Sequence, residues 1–72
     1  MTRDEKLIYM ANQIARNFAY LGESDAAAAT ADHLRNFWDP AMRRTILAQL
    51  AAGGEGLGPT AKAAVLALEA AA

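Results

Sequence analysis

The dipeptide Asp39-Pro40 constrains the chain more than any other feature of its 72 residues. Proline disfavours helical geometry in the residue before it, so a helix entering from the N-terminal side must end by about Trp38. Proline also suits the first position of a new helix, and Asp39 is a natural N-cap for it. A helix is therefore predicted from Pro40 to about Ala52, with Met42, Ile46 and Leu50 in register. Gly53, Gly54, Gly56 and Gly58 make the following segment a loop. Pro59 then opens a short fourth helix with Ala61, Val65 and Leu68, ending in a frayed alanine tail.

Upstream the same logic yields two more helices. Thr2 and Glu5 have the spacing of a capping box. Leu7, Met10, Ala11, Ile14, Phe18 and Leu21 recur at three- and four-residue steps, which predicts one stripe on a helix from Arg3 to Leu21. Gly22 supplies a left-handed stop. The next helix starts near Ser24 or Asp25, both good caps, and carries Ala27, Ala31, Leu34 and Trp38 along one line. No alternating strand pattern or internal repeat occurs. The expected fold is all-α: one compact domain over residues 1–72, with three main helices and a short C-terminal fourth.

Such a domain is short of core material. The hydrophobic fraction is 54%, but Leu, Ile, Val and Phe together number only 14 of 72 residues. That is close to the rough one-fifth level below which self-sufficient cores become doubtful. Small domains compensate with disulfides, a metal or a partner protein. There is no cysteine and a single histidine, which excludes disulfides and the usual structural zinc sites. A protein partner is the remaining staple. A net charge of −1 with no basic stripe argues against a nucleic-acid binder. No signal peptide and no membrane span is legible, so a soluble cytoplasmic chain without a small-molecule ligand of its own is expected.

No constellation points to catalysis. Gly53-Gly54-Glu55-Gly56-Leu57-Gly58 lacks the Lys-Ser/Thr ending of a phosphate loop and follows no strand. It reads as a flexible linker or as a partner-contacting loop anchored by Leu57. His33 either packs on Phe37 and donates to a nearby carbonyl, or bonds to a partner. Phe37 and Trp38 project about 100° apart on a helix. Trp38 is expected in the core and Phe37 partly exposed, as aromatics at interfaces often are. Arg43 should have a partly covered stem, with its guanidinium on Asp39, on a carbonyl fork or on an acidic group of another protein. Arg44 points away. On the first helix, Ile8, Ala15 and Ala19 flank Asn12 as a flat shoulder open to a partner helix. Tyr9, Gln13 and Tyr20 occupy the polar side.

Met10-Ala11-Asn12-Gln13-Ile14-Ala15, then His33, then Phe37-Trp38-Asp39-Pro40-Ala41-Met42-Arg43, then Gly53 to Leu57 and Pro59 form an ordered set of blocks. In this arrangement the sequence resembles the delta subunit of NAD-dependent, molybdenum-containing formate dehydrogenases, from about Lys6 to Leu68. Ala41 stands where that family usually has arginine. The resemblance implies a non-catalytic accessory subunit of a cytoplasmic enzyme that docks on the large molybdenum-binding subunit and supports assembly or stability. It implies no cofactor in this chain, with the molybdenum-pterin centre, iron–sulfur clusters, FMN and NAD on other subunits. The partner-binding residues expected on this basis are Asn12, Gln13, His33, Phe37, Trp38, Asp39, Pro40, Met42, Arg43 and Leu57. Three alternatives stay open: a transient maturation chaperone for the same enzyme, a homo-oligomeric bundle, and a helix-turn-helix binder reading DNA with Arg43, Arg44, Thr45 and Gln49.

Overall fold

The computed structural model describes residues 1–70, so the end of the expected alanine tail, at positions 71 and 72, lies outside the described residues. Four α-helices follow one another: α1 (Arg3–Asn17), α2 (Glu23–Phe37), α3 (Pro40–Ala51) and α4 (Pro59–Ala70). A short 3-10 turn, Ala19–Leu21, links α1 to α2. The architecture is all-α, as the periodicity predicts.

The caps explain the boundaries. Thr2 accepts from the Glu5 amide at 3.1 Å, and the Glu5 carboxylate accepts from the Thr2 amide at 3.0 Å, which closes a complete capping box. Asp39 Oδ1 accepts from the Met42 amide at 2.8 Å, with Pro40 at the first helical position. At the other end of α3, the Gly53 amide donates to the Leu50 carbonyl and the Gly54 amide to the Gln49 carbonyl. This Schellman closure needs a positive φ just past the helix, and Gly53 supplies +120°.

Two predicted boundaries move. α1 stops at Asn17 rather than Leu21, because Phe18 leaves helical geometry and the chain tightens into i→i+3 bonds. α2 is not capped by Ser24 or Asp25. Gly22, at φ +90°, turns the chain directly, so the helix begins at Glu23 and both expected caps fall inside its first turn. Glu23 and Asp25 still sit favourably there, at the positive end of the helix dipole.

The core is built from one line on each helix. α1 contributes Leu7, Ala11 and Ala15; α2 contributes Ala26, Ala27, Thr30, Ala31 and Leu34; Trp38, Ile46 and Leu57 join from the connections and α3. Thr30 satisfies its buried hydroxyl by donating to the Ala26 carbonyl at 2.7 Å. Met10, Ile14, Met42 and Leu50 are only half-buried at its edge, and Leu21, expected in the stripe, is 38% exposed. The fourth helix is not a minor appendage. At 12 residues it equals α3, it buries Ala61, Ala64, Val65 and Leu68, and it makes the most extensive pairing in the fold, against α2. Small side chains on both helices let their backbones approach closely, which substitutes proximity for bulk.

Candidate docking surface

The corner where α2 meets α3 groups an exposed aromatic ring with polar side chains. Asp39 is extended, as a residue before proline must be, and the break turns Trp38 inward while Phe37 stays outside. Trp38 is 5% exposed and Phe37 73%. One turn back on α2, the half-buried His33 ring lies 4.7 Å from Phe37 between centroids, and 6.4 Å from Phe18 on its other side in an edge-on arrangement. A short aromatic ladder thus runs from the end of α1 to the end of α2. The carbonyl bond expected from His33 is not made among the described residues; aromatic packing alone holds the ring.

Arg43 reaches back from α3 over the same corner. Its Nη1 donates to the Arg35 carbonyl at 3.1 Å and also to the Trp38 carbonyl. These are carbonyls of the last turn of α2, which the helix itself leaves unpaired. The fork therefore falls on carbonyls, not on Asp39, whose carboxylate is engaged as a cap. Asp39 and Pro40 are exposed on the outside, and Met42 packs half-buried against the core.

The glycine loop behaves differently. Asn12 Nδ2 donates to the Gly56 carbonyl at 2.8 Å, and its Oδ1 accepts from the Gly58 amide at 2.9 Å. Leu57, between these two bonds, is 7% exposed and belongs to the core. Three residues expected to contact a partner are engaged by the chain itself. Leu57 and Trp38 point inward, and the Asn12 amide serves the chain's own loop, because a turn of glycines leaves backbone groups that need partners. The flat shoulder expected to receive another helix is partly covered: Ala15 is buried, Ile8 lies under Gly56, where an added Cβ would come within 3.3 Å of its Cγ2, and Ala19 stays exposed. Gln13 lies apart from the corner, donating to the Tyr9 hydroxyl at 3.1 Å on the outer face of α1.

One surface was not legible from the periodicity. On α4 the exposed residues Ala63, Leu66, Ala67 and Ala70 repeat at the same helical spacing as the buried ones. Leu66 is 55% exposed, and the helix carries only two charges, Lys62 and Glu69. The signal was available as composition: a helix with so few charges has no polar face to give it direction.

Among the described residues no group of three or more His, Cys, Asp or Glu side chains is placed to hold a metal ion. No helix among them is long and apolar enough to cross a membrane. The open grooves beside the glycine loop, of about 430 and 510 Å³, share Asn12 and Gly56; Arg16 and Thr60 line the first, and Glu5, Tyr9, Gln49 and Glu55 the second. Three of the four residues proposed for DNA reading have partners inside the chain, and the fourth, Arg44, is exposed. Thr45 donates to the Ala41 carbonyl at 3.0 Å, Gln49 donates to Asp4 at 2.9 Å, and Arg43 is held on α2.

Fold and surface together define a small all-α chain whose α2–α3 corner presents an aromatic ring and arginine side chains. Residues 6–65 match the family described as the NADH-dependent formate dehydrogenase delta subunit, FdsD, and the chain belongs to that family. The family is a subunit of formate dehydrogenase, an oxidoreductase complex. Comparison with curated proteins and with solved structures gives no match.

Proposed function

We propose that this chain is a non-catalytic docking subunit of formate dehydrogenase that binds the large molybdenum-binding subunit and supports assembly or stability of the complex. The molybdenum-pterin centre, iron–sulfur clusters, FMN and NAD belong to other subunits in this reading. The observation that carries it is Phe37, a large ring left in solvent by a chain that is short of large apolar residues. It packs on His33, which is itself packed against Phe18, and this contact lowers the freedom lost on docking. The exposed apolar stripe of α4 is a second surface available to the same partner. One ring alone does not reach the roughly 1,200 Å² of total buried area typical of stable interfaces. Asp39, Pro40 and Met42 border the ring on the α3 side, and Gln13 lies outside this face.

Co-expression of the chain with the large subunit, followed by affinity capture and size exclusion of the mature enzyme, tests the reading. The chain is expected to co-elute in fixed proportion. Phe37→Ala should weaken association by about 30-fold, equivalent to roughly 2 kcal/mol for an aromatic anchor. A chain that leaves before the enzyme is mature acts as a maturation chaperone instead. Unchanged recovery of Phe37→Ala would count against the docking face.

A further inference from the structure

We infer that the α2–α3 corner docks into an apolar pocket bordered by carboxylates on the partner, with Phe37 in the pocket and Arg43 and Arg44 facing its acidic rim. This rests on the docking role proposed above and adds the chemistry of the partner's side. The argument is an account of charges at one place. Three guanidinium groups, Arg35, Arg43 and Arg44, share this region of the chain with two carboxylates, Asp32 and Asp39. Both carboxylates are already engaged: Asp32 pairs with Arg35 at 2.6 Å, and Asp39 accepts the Met42 amide. Arg44 is exposed and makes no ion pair among the described residues. The positive charge of the corner is therefore unmatched within the chain.

Arg43 is the better built of the two free cations. Its stem is half-buried, and one terminal nitrogen is fixed on the Arg35 and Trp38 carbonyls. Nε and Nη2 have no partner among the described residues, so one edge of a rigid planar fork remains open. That edge fits a carboxylate bidentately, and a lysine ammonium does not reproduce it. The fork is anchored to the two carbonyls that flank Phe37 in sequence, so apolar and acidic features of the partner must also be adjacent. Preorganisation makes the combination efficient, because neither the ring nor the fork must be ordered on binding. Charge on the rim should act chiefly on association rate and on salt dependence.

The test uses the full chain captured on the tagged large subunit, at about 0.05 M and about 0.5 M salt, where screening lengths differ several-fold. Arg44→Glu is expected to weaken binding about tenfold at low salt and much less at high salt. Arg43→Lys, which keeps the charge and removes the fork, is expected to weaken binding several-fold at both. If Phe37→Ala loses binding while Arg44→Glu and Arg43→Lys match the parent at both salts, the acidic rim is refuted and the docking face stands. If Phe37→Ala also binds like the parent, the docking reading fails with it. Should Arg43→Lys disturb folding, Arg44→Glu decides, since the Arg44 side chain makes no hydrogen bond within the described residues.

Discussion

At the glycine loop the polar side chain that reaches the turn is matched within the chain, whereas at the α2–α3 corner guanidinium donors and a whole aromatic ring are left over. Asn12 closes both of its functional ends on Gly56 and Gly58, with Leu57 sealed beneath. At the corner, Arg43 binds two carbonyls and still has donors, and Phe37 stays in solvent. Both regions have the residue types that mark interfaces. Which is an interface depends on whether those groups are already satisfied. The loop is a latch and should govern stability; the corner is open and should govern association.

The contrast breaks most visibly at Leu57. Leu57→Ala should cost about 2–5 kcal/mol, comparable with the roughly 3–5 kcal/mol that a single core of this size supplies. Loss of cooperative thermal unfolding by circular dichroism would register it, and a parent-like melt would mean that the loop is not sealed. Asn12→Ala comes next, at about 1–2 kcal/mol for two backbone groups left to water. It should lower the urea midpoint while the folded fraction still binds the large subunit; a binding defect at full stability would return Asn12 to the interface. Phe37→Ala should do the reverse, changing stability by less than about 1 kcal/mol, since only its packing on His33 is lost. A large drop in its melting temperature would move Phe37 from the surface to the scaffold.

The smallest effect lies outside both regions, at the capping box. The Thr2 amide, then the Thr2 side chain, hold the Glu5 carboxyl below its ordinary value of 4.5. A carboxyl lowered on folding stabilises α1 above that ordinary value, and the contribution is lost as pH falls through the lowered one. Glu5→Gln, which takes away the titrating carboxyl, should remove that acid-side dependence and leave stability near neutrality only slightly changed, as read by helix content against pH. An unchanged acid profile would mean that the cap does not couple to folding.

Much of the scaffold was legible in local chemistry. Asp39-Pro40, the Thr2–Glu5 box and the run of glycines are short-range instructions, and each boundary they specify is found within a residue or so. Ser24 and Asp25 misled because good caps compete, and Gly22 reached the required geometry first. The α1 stripe was displaced by about one position. Ile14 and Ala15 lie on opposite shoulders of the line through Leu7 and Ala11, and sequence alone does not say which faces the centre. Ala15 won because α4 and the loop come in on that side. Of the site, Phe37 outside and Trp38 inside followed from the angle between adjacent residues and the scarcity of large side chains. The roles of Asn12 and Leu57 did not, since their partners lie about 44 to 46 residues away in the chain.

By itself the sequence determined that there are four helices, where most of them begin and end, and that the chain belongs with a family of enzyme subunits. Those facts depend on backbone geometry and on capping groups three or four residues apart, which the order of residues encodes directly. Only the tertiary structure decided which small residues face the core, which amide closes on the chain and which ring is left in water. On helices rich in alanine many faces are nearly equal in apolar area, so the choice among them falls to contacts between distant segments, and these exist only once the helices have packed.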